Sequence, residues 1–538
     1  MAYETAKLKF AHAWISIPMI CMSCTSGWAQ TFEEAFQLRP VRLSMRQVLA
    51  GVLAKSLDLK INELDIQIAE SRIDAAWAAF DPVFQLGGSL QDSRIAQNAQ
   101  EYVQTGGLFI PLSEPNIFRQ RNLMGETGLA WRIPTGTTVE LFTRAGSFLN
   151  DLNRQSPPAL FSPERAATVG MSLTQPLLRD FGFSANLAEV RVSRLNARIA
   201  DLEWQQKLME VVAGVMREYY ALCFVTENIE VRRGVLAFAQ TLLHENERQR
   251  EEGVGGLAEV EEAKVGVAMA REEVVTAMGQ AIERQRALKT QLLSVAQEAQ
   301  AMLFVPSDTL PPAITFRSTR SRCLAEALAA RPDHLRLLED AEKQDVILKF
   351  ARNQALPRLD LKATLGASGL AGGMGAAYNR VLDRQGYNAS VGFEFSMPLG
   401  NRAAKANRDV AEARKEQAVM AVARSEMHVV AEVEEALGLL QAAAARLSYT
   451  RESVAAADLL LAAEQKRFKQ GVARSFDVLR ARRQVADARS RELAALADWN
   501  AAHVVLHART GSLLEHAGLR LDSPEDQLPT DSRARPVQ

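Results

Sequence analysis

The placement of proline constrains this chain more than any other feature. There are 19 prolines in 538 residues, yet none lies between Pro176 and Pro306 and none between Pro398 and Pro524. Proline in a helix interior removes a hydrogen bond and clashes with the preceding turn, at a cost of ~3 kcal/mol. Two proline-free blocks of this length therefore read as long helices. Length alone, at ~150 residues per domain, would suggest three or four compact domains, and the blocks contradict that division. Aromatic residues make up only 6% of the chain, few for ordinary globular cores. Lys+Arg is 63 and Asp+Glu is 64, a net charge of −1, so the basic excess expected of a nucleic-acid-binding protein is missing.

The N-terminus carries Lys7 and Lys9, an apolar run from Phe10 to Gly27, and then Gly27-Trp28-Ala29. This is the pattern of a secretory signal peptide cleaved after Ala29. A membrane-anchoring helix and a lipoprotein acylated at Cys21 or Cys24 are the alternatives. Cys223 and Cys323 are the cysteines left after cleavage, too few for a disulfide framework. Beyond Ala29 no uninterrupted apolar run is long enough for a membrane-spanning helix. The exported protein is soluble, anchored, or a β-barrel.

The chain is a tandem repeat. One constant shift aligns Ala50, Ala54, Asp58, Asp65, Ala76 and Pro82 with Ala325, Ala329, Asp333, Asp340, Ala351 and Pro357. A shorter shift aligns Val169-Gly170 and Pro176-Leu177 with Val391-Gly392 and Pro398-Leu399. A third, slightly shorter again, aligns Gly253-Val254 and Val260 with Gly471-Val472 and Val478. The falling offset leaves about 53 extra residues in the first half. The expected organisation is a signal peptide at 1–29, a first repeat at 30–303, a linker at 304–322, a second repeat at 323–521 and a disordered tail at 522–538. Each repeat runs helix, strand region, long helix, tight loop, long helix.

The strand regions alternate with period two. Val169, Met171 and Leu173 oppose Gly170, Ser172 and Thr174; Val391, Phe393 and Phe395 oppose Gly392, Glu394 and Ser396. Leu359, Leu361, Ala363 and Leu365 oppose Arg358, Asp360, Lys362 and Thr364. Such alternation suits a membrane β-barrel or an ordinary half-buried antiparallel sheet. The extra residues hold a hairpin, Leu129–Ile133 and Val139–Thr143 around Pro134-Thr135-Gly136. It either raises the strand count from four to six or sits outside the wall. Tyr102, Phe109, Phe118, Trp131 and Phe148 either form an interfacial girdle or pack the loops.

The helices carry a heptad seam. Val260, Ala263, Val267, Ala270, Val274, Ala277 and Ala281 recur at spacings of three and four, and Val478, Ala481, Val485 and Ala488 repeat them. Small seam residues let helices approach closely. The arm from Ser184 to Glu252 would extend ~100 Å at 1.5 Å per residue. Its return, Leu257 to Leu303, is shorter. Helices at Val41–Ala79 and Cys323–Arg352 would stack on the return arms and fill the missing length.

Gly253-x5-Glu259-Val260, Gly471-x5-Asp477-Val478-Leu479, Thr174-Gln175-Pro176-Leu177-Leu178 and Ser396-Met397-Pro398-Leu399, in this repeated order, resemble the TolC family of outer-membrane channel-tunnels. The resemblance spans Leu43 to Gly511. It implies an α+β homotrimer with one transmembrane β-barrel, standing in outer-membrane lipid, and an α-helical coiled-coil tunnel across the periplasm. It implies a passive conduit, part of a tripartite efflux pump or a type I secretion system. The partners so implied are a periplasmic adaptor docking at the hairpin tips and an inner-membrane pump. By position, Glu259 and Asp477 correspond to entrance carboxylates. Arg480 stands where the best-known member carries a second aspartate, which implies a less cation-attracting entrance. Arg474 lies one position from a tip arginine that holds the closed state. Gly253 and Gly471 supply the positive φ that a helix reversal needs. A ring of three Asp477 carboxylates would attract cations; the plainer role of both acids is to complement a helix N-terminus.

No catalytic constellation, cofactor motif or metal motif emerges. His503 and His507 are four apart, but Val504 stands where a zinc protease needs its glutamate, so they read as two surface histidines. Gly369–Gly375 has no dinucleotide or phosphate fingerprint and reads as a loop. A periplasmic coiled-coil adaptor or structural protein is the alternative function. It fits less well, because adaptors carry one hairpin with lipoyl-like domains and this chain carries two related hairpins. Nothing in the sequence names the cargo.

Overall fold

The computed structural model describes residues 39–97, 116–151, 160–253, 256–292, 302–314, 318–384, 386–470 and 472–519. The signal peptide, the polar tail, Tyr102, Phe109 and Gly471 lie outside the described residues. In chain order the elements are β1 (Arg39–Leu43), α1 (Met45–Lys55), α2 (Leu57–Trp77), β2 (Val83–Gln97), β3 (Asn116–Arg132), β4 (Thr138–Asn150) and β5 (Glu164–Pro176). Then come α3 (Gly182–Asn186), α4 (Ala188–Glu251), α5 (Leu257–Leu292) and β6 (Met302–Pro306). The second half has α6 (Arg320–Ala330), α7 (Pro332–Gln354), β7 (Arg358–Ala371), α8 (Met374–Leu382), β8 (Gly386–Ser396), α9 (Arg402–Lys469), α10 (Ser475–Thr510) and α11 (Leu513–His516). The proline-free blocks are thus helical hairpins, with arms of 64 and 36 residues in the first and 68 and 36 in the second.

The chain divides into two compact units. One takes the residues up to 66, 200–337 and those from 422 onward; the other takes 67–199 and 338–421. Each unit therefore draws on both repeats.

In the first unit the small-residue seams are the packing surface. Val260, Ala263, Val267, Ala270, Val274, Ala277 and Ala281 are all buried, as are Val478, Ala481, Val485 and Ala488. Val235, Ala239 and Leu242 of α4 meet Val267 and Ala270 of α5 and Leu479 and Ala486 of α10 in one cluster. A Cβ on Gly266 would stand 2.6 Å from a methyl of Leu479, so glycine permits that approach. The larger core gathers Leu208, Val212, Val215, Tyr219, Leu222 and Ile229 of α4 around α1 and β6. Here β1 pairs in parallel with β6, Arg39 opposite Met302 and Leu43 opposite Pro306. The expected helical arm to Leu303 therefore ends in a strand, and so does the start of the expected helix at Val41. Leu303, Phe304 and Val305 form a fully apolar run, buried on both faces, and periodicity cannot separate such a strand from a helix. Cys223 and Cys323 are buried free thiols, and burial pushes the Cys223 thiol up to about 12.

Both single helices expected before the strands are broken. Ser56 separates α1 from α2 with φ −62° and ψ 119°, and Arg331 separates α6 from α7 with φ −74° and ψ 119°. The two residues correspond under the same shift that aligns Asp58 with Asp333. In each, the break residue's N–H closes the first helix and its C=O opens the second. α1 packs on α5, and α6 on α10.

The second unit is built on a sheet in the order β2-β3-β4-β5-β7-β8. Every neighbouring pair is antiparallel. The extra hairpin of the first repeat supplies wall strands, so the sheet has six strands rather than four. Gly136 sits at φ 94° in the turn between β3 and β4, where a Cβ would come within 2.3 Å of the Asp180 carbonyl oxygen. The Gly369–Gly375 stretch is not a loop: it closes β7 and opens α8. Ala377 and Val381 of α8 pack on Ala167 and Ala371.

Candidate functional site

The strand register sorts the sheet's side chains into two chemically distinct faces. Residues directly opposite across a ladder share a face. One row runs Phe84, Leu129, Leu141, Met171, Leu365 and Ala389 across all six strands. The opposite face carries Gly87, Glu126, Arg144, Thr168, Ser368 and Gly386 in one row. On that polar face Arg144 pairs with Glu126 at 2.9 Å, and Lys362 pairs with Glu394. The apolar face is bare on its outer strands, where Phe84 is 67% exposed and Phe393 80%, while α8 covers one end of it at Ala167, Gly369 and Ala371. Of the aromatic residues considered for a girdle, Trp131 shares the apolar face through its partner Val139, whereas Phe118 and Phe148 sit on the polar one. These three do not form one belt, because 118 and 131 differ by an odd number and a strand alternates. No helix among the described residues is long and apolar enough to cross a membrane.

The hairpin tips are the second candidate region. Gly253 has φ 79° and its N–H donates to Arg250 O at 3.0 Å, the left-handed ending that α4 requires. Glu259 is exposed in the first turn of α5. Its carboxylate accepts from the Gly256 N–H at 3.3 Å. Asp477 occupies the same place in α10 and accepts from the Arg474 N–H at 3.2 Å. Each acid therefore reaches back to the backbone N–H that precedes its own helix, as the third residue of a capping box does. Arg480 stacks over the ring of Phe476, 5.2 Å from its centroid.

What joins the tips is a residue that seam reading passed over. Asn246 of α4 is 5% exposed. Its amide donates to Glu259 O at 3.2 Å and to Ser475 Oγ at 3.3 Å, which links the start of α5 to the start of α10. The signal was present: Val235, Ala239, Leu242 and Asn246 keep the 4-3-4 seam spacing, and a polar residue on such a seam specifies register. Farther from the tips, Arg232 of α4 bridges Glu273 of α5 at 3.1 Å and Asp487 of α10 at 2.6 Å. Arg483 of α10 donates to Gly266 O at 2.9 Å.

His503 and His507 are not surface residues. Both are half-buried, and His516 joins them. Burial, with the neighbouring imidazoles, pushes His507 down to about 4. Burial likewise lowers His503 and His516.

The comparisons with known proteins agree with this architecture. The family model described as outer membrane efflux protein matches residues 147–292 and 324–512, one segment in each repeat. The solved outer membrane protein VceC of Vibrio cholerae superposes with a TM-score of 0.56 at 17% identity, over 87% of this chain and 96% of that one. The open state of the MtrE outer membrane channel of Neisseria gonorrhoeae gives 0.57 at 15% identity, over 95% and 98%. The CmeC outer membrane channel of Campylobacter jejuni gives 0.56 at 16% identity, over 95% and 93%. At these identities the structures speak for the fold alone. A search of curated protein sequences finds no match.

Proposed function

Since this chain belongs to the outer membrane efflux protein family and is therefore an outer-membrane efflux channel, a passive conduit and not an enzyme, we propose how it assembles and where it admits cargo. The observation that carries the proposal is the six-stranded sheet with one apolar and one polar face. In a bilayer the apolar face meets lipid and the polar face lines water. A lone sheet would leave the outer rows of β2 and β8 unpaired, at several kcal/mol for each unsatisfied group in hydrocarbon. Six antiparallel strands end with β2 and β8 running in opposite directions. β8 of one copy can therefore pair antiparallel with β2 of the next. Three copies of six strands close as an eighteen-stranded barrel without breaking the alternation. A further surface supports assembly of like chains: Leu57, Ile61 and Leu64 form a 4-3 stripe on α2, each about half exposed.

In this trimer the hairpins form a periplasmic tunnel with the tips at its entrance. Gly253 and Gly471 shape the docking surface for a periplasmic adaptor, which couples the channel to an inner-membrane pump. Glu259 and Asp477, tripled by symmetry, set the charge of the entrance, with Arg474 and Arg480 beside them. Asp477→Asn separates the two roles of that carboxylate. Asparagine still accepts the Arg474 N–H but carries no charge. Single-channel recording in planar bilayers should show altered conductance or weaker block by multivalent cations. Unchanged conductance and block in Asp477→Asn and Glu259→Gln would remove the entrance assignment and leave the fold intact. Purification as a soluble monomer without heat-modifiable gel mobility would sink the trimeric barrel.

A further inference from the structure

The three clustered histidines come from one short stretch of chain folded back on itself. His503 and His507 are one turn apart on α10 and so share a face. Gly511 ends the helix at φ 77°. A Cβ there would lie 2.9 Å from the backbone of Ala330, so both the φ and the tight contact require glycine. The Ser512 N–H then donates to His507 O at 3.0 Å, and α11 returns His516 onto the other two. The candidate ligand nitrogens of all three lie within 4.8 Å of one another. No carboxylate or thiol among the described residues joins the group.

The hydrogen bonds around His507 are consistent with a network that leaves its Nε2 available to a metal. In that network Thr510 Oγ1 donates to His507 O at 3.2 Å. In the 2.8 Å contact between Thr510 and Ser512 the donor must then be Ser512. Ser512 has no proton left for His507 Nδ1, 2.7 Å away, so Nδ1–H donates to Ser512 Oγ. In this tautomer the lone pair of His507 is on Nε2. This is the arrangement by which a second shell orients a metal-bound imidazole. Trp499, 4% exposed, stacks on His503 at 5.1 Å and 15° and fixes that ring as well.

We infer that His503, His507 and His516 form a binding site for a divalent transition-metal ion of the zinc class, with Ser512 as the residue that positions His507. Three imidazoles and no carboxylate favour Zn²⁺, Co²⁺, Ni²⁺ or Cu²⁺ over Mg²⁺ and Ca²⁺, which take oxygen ligands. Tetrahedral coordination at about 2.0–2.1 Å brings ligand nitrogens to about 3.3 Å from one another, so the cluster must contract. The His507 and His516 rings lie nearly parallel, 8° apart with centroids 4.2 Å apart. Both lone pairs meet one ion only when these rings fan apart. His516, on the exposed side of the group, has the room to move. The fourth position is open to water. A bound ion ties the end of α10 to α11.

The test uses the full-length protein in detergent, purified without a histidine tag, and Co²⁺ as the probe. The expected result is one Co²⁺ per chain, a tetrahedral d–d band, displacement by Zn²⁺ and indifference to excess Mg²⁺. His516→Ala should abolish the band, and Ser512→Ala should weaken binding about tenfold while keeping one ion per chain. His244→Ala, on α4, should change neither. Because His516 lies at the surface end, its variant folds even where His503→Ala does not. Absence of saturable Co²⁺ binding to the wild type overturns the site, and so does undiminished binding in His516→Ala. In either event the cluster is packed imidazole only.

Discussion

Ser56 and Arg331 occupy corresponding positions in the two repeats, and each interrupts a helix with one extended residue. The means of holding the break differ. At Ser56 the hydroxyl accepts from the Leu59 N–H at 3.4 Å and little else is engaged. At Arg331 the guanidinium is 6% exposed and meets Asp333 and Glu432, each at 2.6 Å. It also donates to Arg509 O at the end of α10, at 3.3 Å. Both repeats thus keep the bend, and the second adds a buried cation that fastens it to both arms of its own hairpin. A duplicated fold can preserve a backbone feature while its chemistry diverges, because the dihedral matters to packing and the anchor is one solution among several.

Replacing Arg331 tests this difference most severely. Arg331→Ala leaves Asp333 without its guanidinium and Glu432 with Arg509 alone, at 3.2 Å. Because both carboxylates are about a third exposed, the cost falls below the roughly 3–5 kcal/mol of a fully buried pair but well above that of a surface pair. Ser56→Ala loses a weak cap, at most about 1 kcal/mol. Denaturant midpoints of the two variants should differ accordingly. Equal midpoints would show that the bend alone is what both repeats need.

The seams predict the opposite outcome, equality. Ala270 and Ala488 match under the shift that aligns the hairpin tips, and they are 0% and 1% exposed. Leucine at either position overpacks a closed interface, at about 1–3 kcal/mol. Ala270→Leu and Ala488→Leu should shift the midpoint alike, and a large disparity would break the equivalence of the two hairpins.

The smallest effect is one of pH. Burial alone would raise the Asp333 carboxyl, but its hydrogen bonds and charge contact with Arg331 outweigh that and hold it below the usual 3.8. A carboxyl depressed in the folded state stabilises fully above its unfolded value and loses that contribution as pH falls through its folded value. The stability gap between wild type and Asp333→Asn should stay constant from pH 7 to pH 5. It should narrow only below 3.8. The corresponding residue Asp58 pairs with Lys207 at 3.1 Å with 63% of its side chain exposed, and Asp58→Asn should cost less stability at pH 7 than Asp333→Asn.

Much of this architecture is written in local periodicity. The proline gaps, the 4-3 seams and the two-residue alternation of the strands each record a repeated contact, and repetition survives as spacing along the chain. The hairpins, the buried seam residues and the two faces of the sheet were legible for that reason. Pro332 carried a mark of the second helix break that the expected single helix at Cys323–Arg352 passed over, since a residue before proline is pushed out of the helical region. Ser56 precedes Leu57 and carried no such mark.

Contacts made once, between distant or reversed segments, leave no period. β1 and β6 pair across nearly the whole first repeat, and a five-residue buried strand looks like the end of a helix until its partner is known. Asn246 ties α5 to α10 through two single hydrogen bonds. The place of the extra hairpin inside the wall depended on edge pairing with β2 and β5. His516 reaches His507 only because Gly511 turns the backbone through a left-handed residue. Periodicity alone therefore specifies which faces must be buried, because the same contact recurs at every turn of a repeating pattern. Which single side chains meet was left to long-range packing, because one reversed dihedral or one distant ladder sets their positions and neither repeats along the chain.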